Sequence, residues 1–389
     1  MTIEKNAKQS GDLCCMGGIY IHIPFCAQAC TYCNFHFSTQ IQHRGAMVDA
    51  LVKEIIQSET IFTDFKPSTI YFGGGTPSLL TNEQVTKLMT TLKTVYSFEN
   101  IQEITFECNP EDATPIKLNH WKSLGINRLS IGLQSLQDLE LKEMNRTHSR
   151  LTSLVAVENA LDAGFTNFNV DFIYGTPWKS HEQWIDELDW AFSKNITHIA
   201  AYALTVEPKT VLDYQTRKGV FNPVADVFMG EQFEILQNKM HENSWDAYEI
   251  SNYCKPGHRA LHNGNYWEGL PYLGIGPSAH GYDGISQRWS NIANNAEYMR
   301  CLENGNAHTS IEDLSDENRF NEYIMTALRT SEGIKMSKLK PFNDKWWSKS
   351  ANKRENMIET GLILQQNDRI WLTNNGKLIS DYIISELMV

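Results

Sequence analysis

The chain has 389 residues, enough for a large core and for more than one domain, or for one barrel with an extension. Its 46 acidic and 34 basic side chains give a formal net charge of −12, which argues against a nucleic-acid binder, since such proteins carry basic patches. No apolar run approaches the ~20 residues of a membrane-spanning helix, and the polar start MTIEKNAKQSGDLCC lacks the apolar centre of a secretory signal, so a cytoplasmic protein is expected.

Residues 1–17 read as a polar tail, in which Cys14 and Cys15 are incidental thiols. Residues 18–23 read as a strand running into a loop with Cys26, Cys30 and Cys33, spaced C-x3-C-x2-C. Eight cysteines in a cytoplasmic chain are expected to be metal-bound or free rather than paired. Three thiolates with no nearby fourth cysteine make an incomplete set, because four-iron clusters usually take four. A cluster held by three leaves one iron open to a substrate or cofactor, by the logic of an open catalytic zinc position. Zinc with His22 or His36 as fourth ligand and reduced packing thiols are the alternatives on spacing alone. Cys108, Cys254 and Cys301 are isolated and read as structural.

Downstream, apolar residues at 47, 48, 51, 55 and 56 have helical spacing. A short apolar strand over 69–72 ends in the turn GGGTP, and Thr81 with Gln84 forms a capping box that opens the next helix. Strands are expected over 101–107, 127–131, 168–173 and 197–203. Helices over 116–124, 139–144, 151–163 and 183–192 separate them, with Gly125 and Gly164 as stops. Six alternations of strand and helix with short connections mean a parallel sheet with right-handed crossovers.

In βα barrels the working residues sit at the C-terminal ends of the strands. Here the cysteine loop follows strand one and the glycine turn follows strand two. Glu107 closes strand three, Gln134 lies just past strand four, Asp171 is on strand five, and Ala203 and Thr205 finish strand six. This repetition favours a partial (β/α)6 barrel over an open doubly wound sheet. Glycines let a ligand approach the backbone and offer N–H groups to an anion. Glu107 or Asp171 suits an ammonium or ribose hydroxyls. Arg146 suits a carboxylate, though taken alone it reads as a helix-end surface arginine.

With those residues in place, the chain resembles the branch of the radical S-adenosylmethionine (SAM) superfamily that holds oxygen-independent coproporphyrinogen III oxidase and its heme-chaperone relatives. The segments that carry the likeness are YIHIPFCAQACTYC, YFGGGTPS, FECNPE, RLSIGLQSL, Asn145-Arg146, VDFIYGTPW, AYALTVEPKT and YEISNYCKPGH. The resemblance implies a [4Fe–4S] cluster on Cys26, Cys30 and Cys33. It implies a SAM site lined by Tyr20, Tyr32, Gly74, Gly75, Thr76, Glu107, Gln134, Arg146, Asp171 and Ala203. Two departures point away from the oxidase: Phe35 stands where the oxidase carries a fourth cysteine, and the N-terminal region is short. His262-Asn263-Gly264-Asn265-Tyr266-Trp267 matches the H-N-x-x-Y-W motif of the heme-chaperone relatives. The implied partners are heme, acceptor hemoproteins and an electron donor for the cluster, and no nucleic acid. Histidine and tyrosine are plausible axial ligands for heme iron, which makes His262 and Tyr266 candidates and His280 a second one. On the residues alone, His262 and Tyr266 read rather as core or interface residues on a loop.

The expected organisation is a tail (1–17), a radical SAM core (18–240), an extension carrying the HNxxYW motif (241–304) and a smaller C-terminal domain (305–389). In the last, helices over 318–329, 353–360 and 377–388 and a hairpin turning at Asn367-Asp368 suggest a winged-helix-like unit. Its residues 311–389 hold 12 acidic and 11 basic side chains, so packing is expected rather than nucleic-acid binding.

Overall fold

The structure, a computed structural model, describes residues 16–62, 65–342 and 344–389. Cys14 and Cys15 lie outside the described residues. The first half alternates strictly: β1 (Met16–Ile23), α1 (Arg44–Gln57), β2 (Lys66–Gly74), α2 (Asn82–Val95), β3 (Glu103–Cys108), α3 (Pro115–Ser123), β4 (Arg128–Gln134), α4 (Asp138–Glu143), α5 (Arg150–Asp162), β5 (Phe168–Tyr174), α6 (His181–Ser193) and β6 (His198–Ala203). These six strands pair in chain order and all are parallel. The result is the partial (β/α)6 barrel that the alternation predicts.

Local chemistry starts and stops these elements. Thr81 Oγ1 accepts from the Gln84 amide at 3.3 Å, and the Gln84 side chain accepts from the Thr81 amide at 3.0 Å. Ser180 and Gln183 form the same box at the head of α6. Helix faces such as Val85, Leu88, Met89 and Leu92 of α2 pack on one side of the strands. Strand residues such as Ile19, Ile21, Ile70, Phe72, Phe106, Ile131, Val170 and Phe172 meet them there, leaving the alternate residues to face the barrel interior.

Beyond β6 follow α7 (Val211–Arg217), α8 (Asp226–Glu242), β7 (Asp246–Ala247), β8 (Asn252–Cys254), α9 (Leu261–Glu268), β9 (Tyr272–Ile275), β10 (His280–Tyr282), β11 (Gln287–Asn291), α10 (Asn295–Asn304) and β12 (Thr309–Asp313). They enlarge the sheet to twelve strands in the order β12-β11-β10-β9-β1-β2-β3-β4-β5-β6-β8-β7. β9 runs parallel to β1, and β8 runs antiparallel to β6. The sequence placed a boundary near residue 305; the large sheet runs on through Asp313.

The last unit comprises α11 (Asp316–Arg329), β13 (Ile334–Lys335), α12 (Met336–Leu339), α13 (Asp344–Lys349), α14 (Ala351–Glu359), β14 (Ile363–Gln366), β15 (Arg369–Leu372), α15 (Asn374–Leu378) and α16 (Ser380–Leu387). It has its own core, with Phe320, Ile324, Leu328, Ile363, Ile370 and Ile383 at its centre. The hairpin turns through Asn367, whose φ of 55° suits asparagine. The final helix expected over 377–388 is instead two helices broken at Ile379, which adopts a non-helical φ of −122°.

Candidate cofactor site

The C-terminal ends of the six parallel strands open onto one cavity of about 390 Å³. The cysteine loop closes its upper rim and is braced from several sides. The Cys26 amide donates to Ser38 O at 3.1 Å, and the Thr31 amide donates to Met144 O at 3.2 Å. Leu212 of α7 donates to Thr31 O at 2.8 Å, and Asn145 Nδ2 donates to Ala29 O at 2.7 Å. Asn145 sits in the left-handed region with φ 58°, which lets its side chain turn back onto the loop. Cys26, Cys30 and Cys33 are half-buried, unpaired and face the cavity.

Each thiol has a polar neighbour or a burial cost that bears on its charge. Thr76 Oγ1 donates to Cys26 Sγ at 3.5 Å, and Arg146 Nη1 donates to Cys30 Sγ at 3.4 Å. Burial pushes Cys26 up to about 11 and raises Cys33, so both are neutral thiols until a metal takes their protons. Among the described residues, no three histidine, cysteine or carboxylate side chains converge where one metal ion could sit. Three thiols facing one cavity beside a guanidinium fit a polynuclear anionic cluster. The two histidines considered for zinc are otherwise engaged: His22 contacts Tyr20 Oη at 3.1 Å and His36 O at 2.9 Å, and His36 Nε2 contacts Asn295 at 2.8 Å.

Below the thiols, the glycine turn is forced by crowding. At Gly75 a Cβ would fall 2.6 Å from Phe25 O. Gly74 combines φ +109° with the His22 ring, 2.6 Å from where its Cβ would be. Glu107 accepts from Tyr71 Oη at 2.7 Å and from the Gly74 amide. Burial pushes its carboxyl up to about 8, and burial likewise pushes Asp171 up to about 6 despite its bond from Asn169. Arg146 is anchored through Nη2 to Asn109 Oδ1 at 2.9 Å and Gly132 O at 3.0 Å, so it belongs to the wall rather than to the surface.

The family model for the radical SAM superfamily matches residues 20–191, and that for the HemN C-terminal domain matches residues 314–379. The heme chaperone HemW of Bacillus subtilis is 32% identical over 96% of this chain and 99% of its own. That of Mycobacterium tuberculosis is 31% identical over 95% of this chain and 94% of its own. The chain belongs to the HemW family. Its fold matches coproporphyrinogen III oxidase (HemN) from Escherichia coli, a radical SAM enzyme, with a TM-score of 0.81 over 96% of this chain and 90% of that one, at 21% identity. Membership of the radical SAM superfamily implies a [4Fe–4S] cluster and SAM, and the donor set just described fits both.

Of the residues anticipated for this HemW-family site, the three cysteines, Tyr32, Gly74, Gly75, Thr76, Glu107, Gln134, Arg146, Asp171 and Ala203 line this cavity together. Gln134 is the last residue of β4, with φ 65°, rather than lying beyond the strand. Tyr20 does not line the cavity; it stacks beside Tyr71 with ring centroids 6.0 Å apart.

The HNxxYW segment forms α9, whose His262 fits over Gly18 inside the barrel wall. His262 is 1% exposed, with Nδ1 on Thr69 Oγ1 at 2.8 Å and Nε2 on Tyr266 Oη at 2.9 Å. Both ring nitrogens and the Tyr266 hydroxyl are therefore engaged, and burial pushes His262 down to about 3, so the ring is neutral. In this arrangement neither residue presents a free donor atom to an iron. His280 is exposed on β10, away from the cavity.

Tyr71, Asn109, Arg128, Ser130, Asn169, His198, Asn252 and Asn263 also line the cavity without having been anticipated. A period-2 reading back from Gln134 and Asp171 reaches Arg128, Ser130 and Asn169 on the inward face.

Proposed function

We propose that this chain is a heme chaperone that carries a SAM-coordinating [4Fe–4S] cluster and passes heme to acceptor hemoproteins. The observation that carries the reading is the near full-length likeness to proteins named heme chaperone HemW. Phe35 agrees with it: this side chain, where the oxidase relatives carry cysteine, is 69% exposed at the rim of the cavity. When bound and reduced, the cluster supplies the electron that cleaves SAM, which calls for an electron donor as a further partner.

In this reading the chain's own residues bind and orient. Cys26, Cys30 and Cys33 hold the cluster, and Arg146 balances the charge near Cys30. Glu107, with Tyr71 and the Gly74 amide already aimed at it, gives up its proton to take an ammonium group. Asp171 and Ala203 line the same cavity, where Asp171 would accept from ribose hydroxyls and Ala203 would pack beside the adenine. Ligation of heme iron by His262 or Tyr266 requires α9 to release the Thr69–His262–Tyr266 chain of hydrogen bonds.

Heme titration of the anaerobic protein, followed at the Soret band, tests the reading; saturable binding is expected. A linear, non-saturating titration removes it. Formation of protoporphyrinogen from coproporphyrinogen III, with SAM and reductant, would replace it with the oxidase.

A further inference from the structure

Arg128 is the first residue of β4, six residues before Gln134, so its Cα lies about 20 Å from the strand end, at the opposite end of the barrel from the cysteines. It is 2% exposed and lines the cavity. Among the described residues its guanidinium makes no hydrogen bond, and its buried Nε has no hydrogen-bond partner. Glu103 Oε2 lies 4.0 Å from its Nε as an ion-pair partner, and Asp171 is close enough to feel its charge. The Glu103 carboxylate also accepts from the Leu261 and His262 amides at 2.9 and 3.1 Å and from Thr105 Oγ1 at 3.1 Å, so it balances the charge of Arg128 without a hydrogen bond to it.

A guanidinium cannot shed its proton, and buried donors are nearly always satisfied. A buried Nε–H without an acceptor is a costly arrangement that an incoming acceptor relieves. The neighbouring polar groups cannot serve. Asn169 Oδ1 already contacts His198 Nδ1 at 2.6 Å, and Tyr248 Oη takes His198 Nε2 at 2.7 Å. Asn263, the second residue of the HNxxYW segment, also faces the cavity and makes no side-chain hydrogen bond among the described residues. Two polar side chains that make no hydrogen bond among the described residues thus face one cavity, and one of them carries a fixed positive charge.

We propose that Arg128, with Asn263, forms an anion subsite at the floor of the barrel that takes the carboxylate of a small molecule, separate from the ligand held at the strand ends. A planar carboxylate matches the guanidinium fork in two parallel hydrogen bonds. The cavity of about 390 Å³ is shared with the ligand at the strand ends, which leaves room at its floor for a small acid only.

The probe is butyrate, with butyramide as its neutral isostere, titrated into the full chain and followed by ligand-observed NMR. Butyrate binds saturably, at least tenfold more tightly than butyramide, and Arg128→Met weakens it at least tenfold. Equal binding of the two probes, or butyrate binding unchanged in Arg128→Met, overturns the subsite. Should Arg128→Met not fold, Ser130→Asp puts a carboxylate one step along the same inward face and must also weaken butyrate at least tenfold. SAM added to the cluster-loaded chain leaves butyrate affinity within threefold; competition would assign Arg128 to the carboxylate of SAM and overturn a separate subsite. Heme titration of Arg128→Met follows the wild type, so this inference and the heme reading fail separately.

Discussion

Glu107 shows how one buried carboxyl sets the pH behaviour of the site. Burial raises it from 4.5 to about 8. A group whose folded value is raised binds its proton more tightly when folded, so its contribution to stability is present below pH 4.5 and is lost as pH rises towards 8. The charged form carries a penalty of up to roughly 5 kcal/mol above pH 8, from 3.5 pH units at about 1.36 each. Glu107→Gln is therefore expected to stabilise the cluster-free protein by at least ~1 kcal/mol at pH 8.5 and to have little effect at pH 4.5, read from urea midpoints. A cationic ligand reverses the sign, because it binds only the ionised carboxylate: SAM affinity should fall about tenfold per pH unit below 8, and this slope should vanish in Glu107→Gln. Glu107 and Asp171 were legible in the sequence because they recur, with the cysteine loop and the glycine turn, at successive strand ends of one βα pattern; a lone carboxylate there is ordinarily solvated or paired. Arg128, Asn169 and His198 were not, because near the beginning of a strand a polar residue ordinarily signals an edge or a turn. Only the inward alternation along β4 to β6 turns them into cavity floor.

At the scale of elements, the glycine turn after β2 and the cysteine loop after β1 are one packed unit. The Gly75 amide donates to Ile23 O at 2.8 Å, and Phe25 O occupies the place a Gly75 side chain would need. Phe25 immediately precedes Cys26, so a methyl group at 75 pushes directly on the first cluster ligand. Gly75→Ala is expected to cost about 1–3 kcal/mol of stability. It should lower iron content per chain after anaerobic reconstitution while the far-UV circular dichroism persists; wild-type iron content would show that the two loops are not mechanically linked. The six barrel strands and their helices were readable from apolar runs and caps. The strands β7 to β12 were not: they are two to five residues long, and β12 is exposed along its whole length. HGY and QRWSN hold no period from which a strand could be inferred.

For the whole molecule, the decisive feature is that two hydrophobic cores share one seam. The barrel core excludes the C-terminal unit, whose apolar residues pack among themselves. The join runs through the segment that follows β7: the Ile250 amide donates to Arg329 O at 3.0 Å, and the Ser331 amide donates to Tyr248 O at 2.9 Å. Arg329 Nη2 reaches Glu249 Oε1 at 3.2 Å. Glu249 is 2% exposed and also accepts from the Ser251 amide at 2.9 Å and from Asn252 Nδ2 at 2.6 Å. Asn252 in turn lines the cofactor cavity, so the seam and the cavity wall share a residue. Arg329→Ala leaves that buried carboxylate short of its cation, at a cost of about 1–3 kcal/mol. Because the two units have separate apolar cores, the loss should fall on the seam: cleavage by trypsin within residues 314–389 should accelerate several-fold while the barrel fragment survives. A second substitution, Glu249→Gln, removes the charge that Arg329 balances and should restore much of the protection in the double variant. If both single variants instead melt the barrel in one cooperative step, the two cores form one folding unit, and the cavity senses the C-terminal unit through Asn252 and Glu249 rather than merely bordering it.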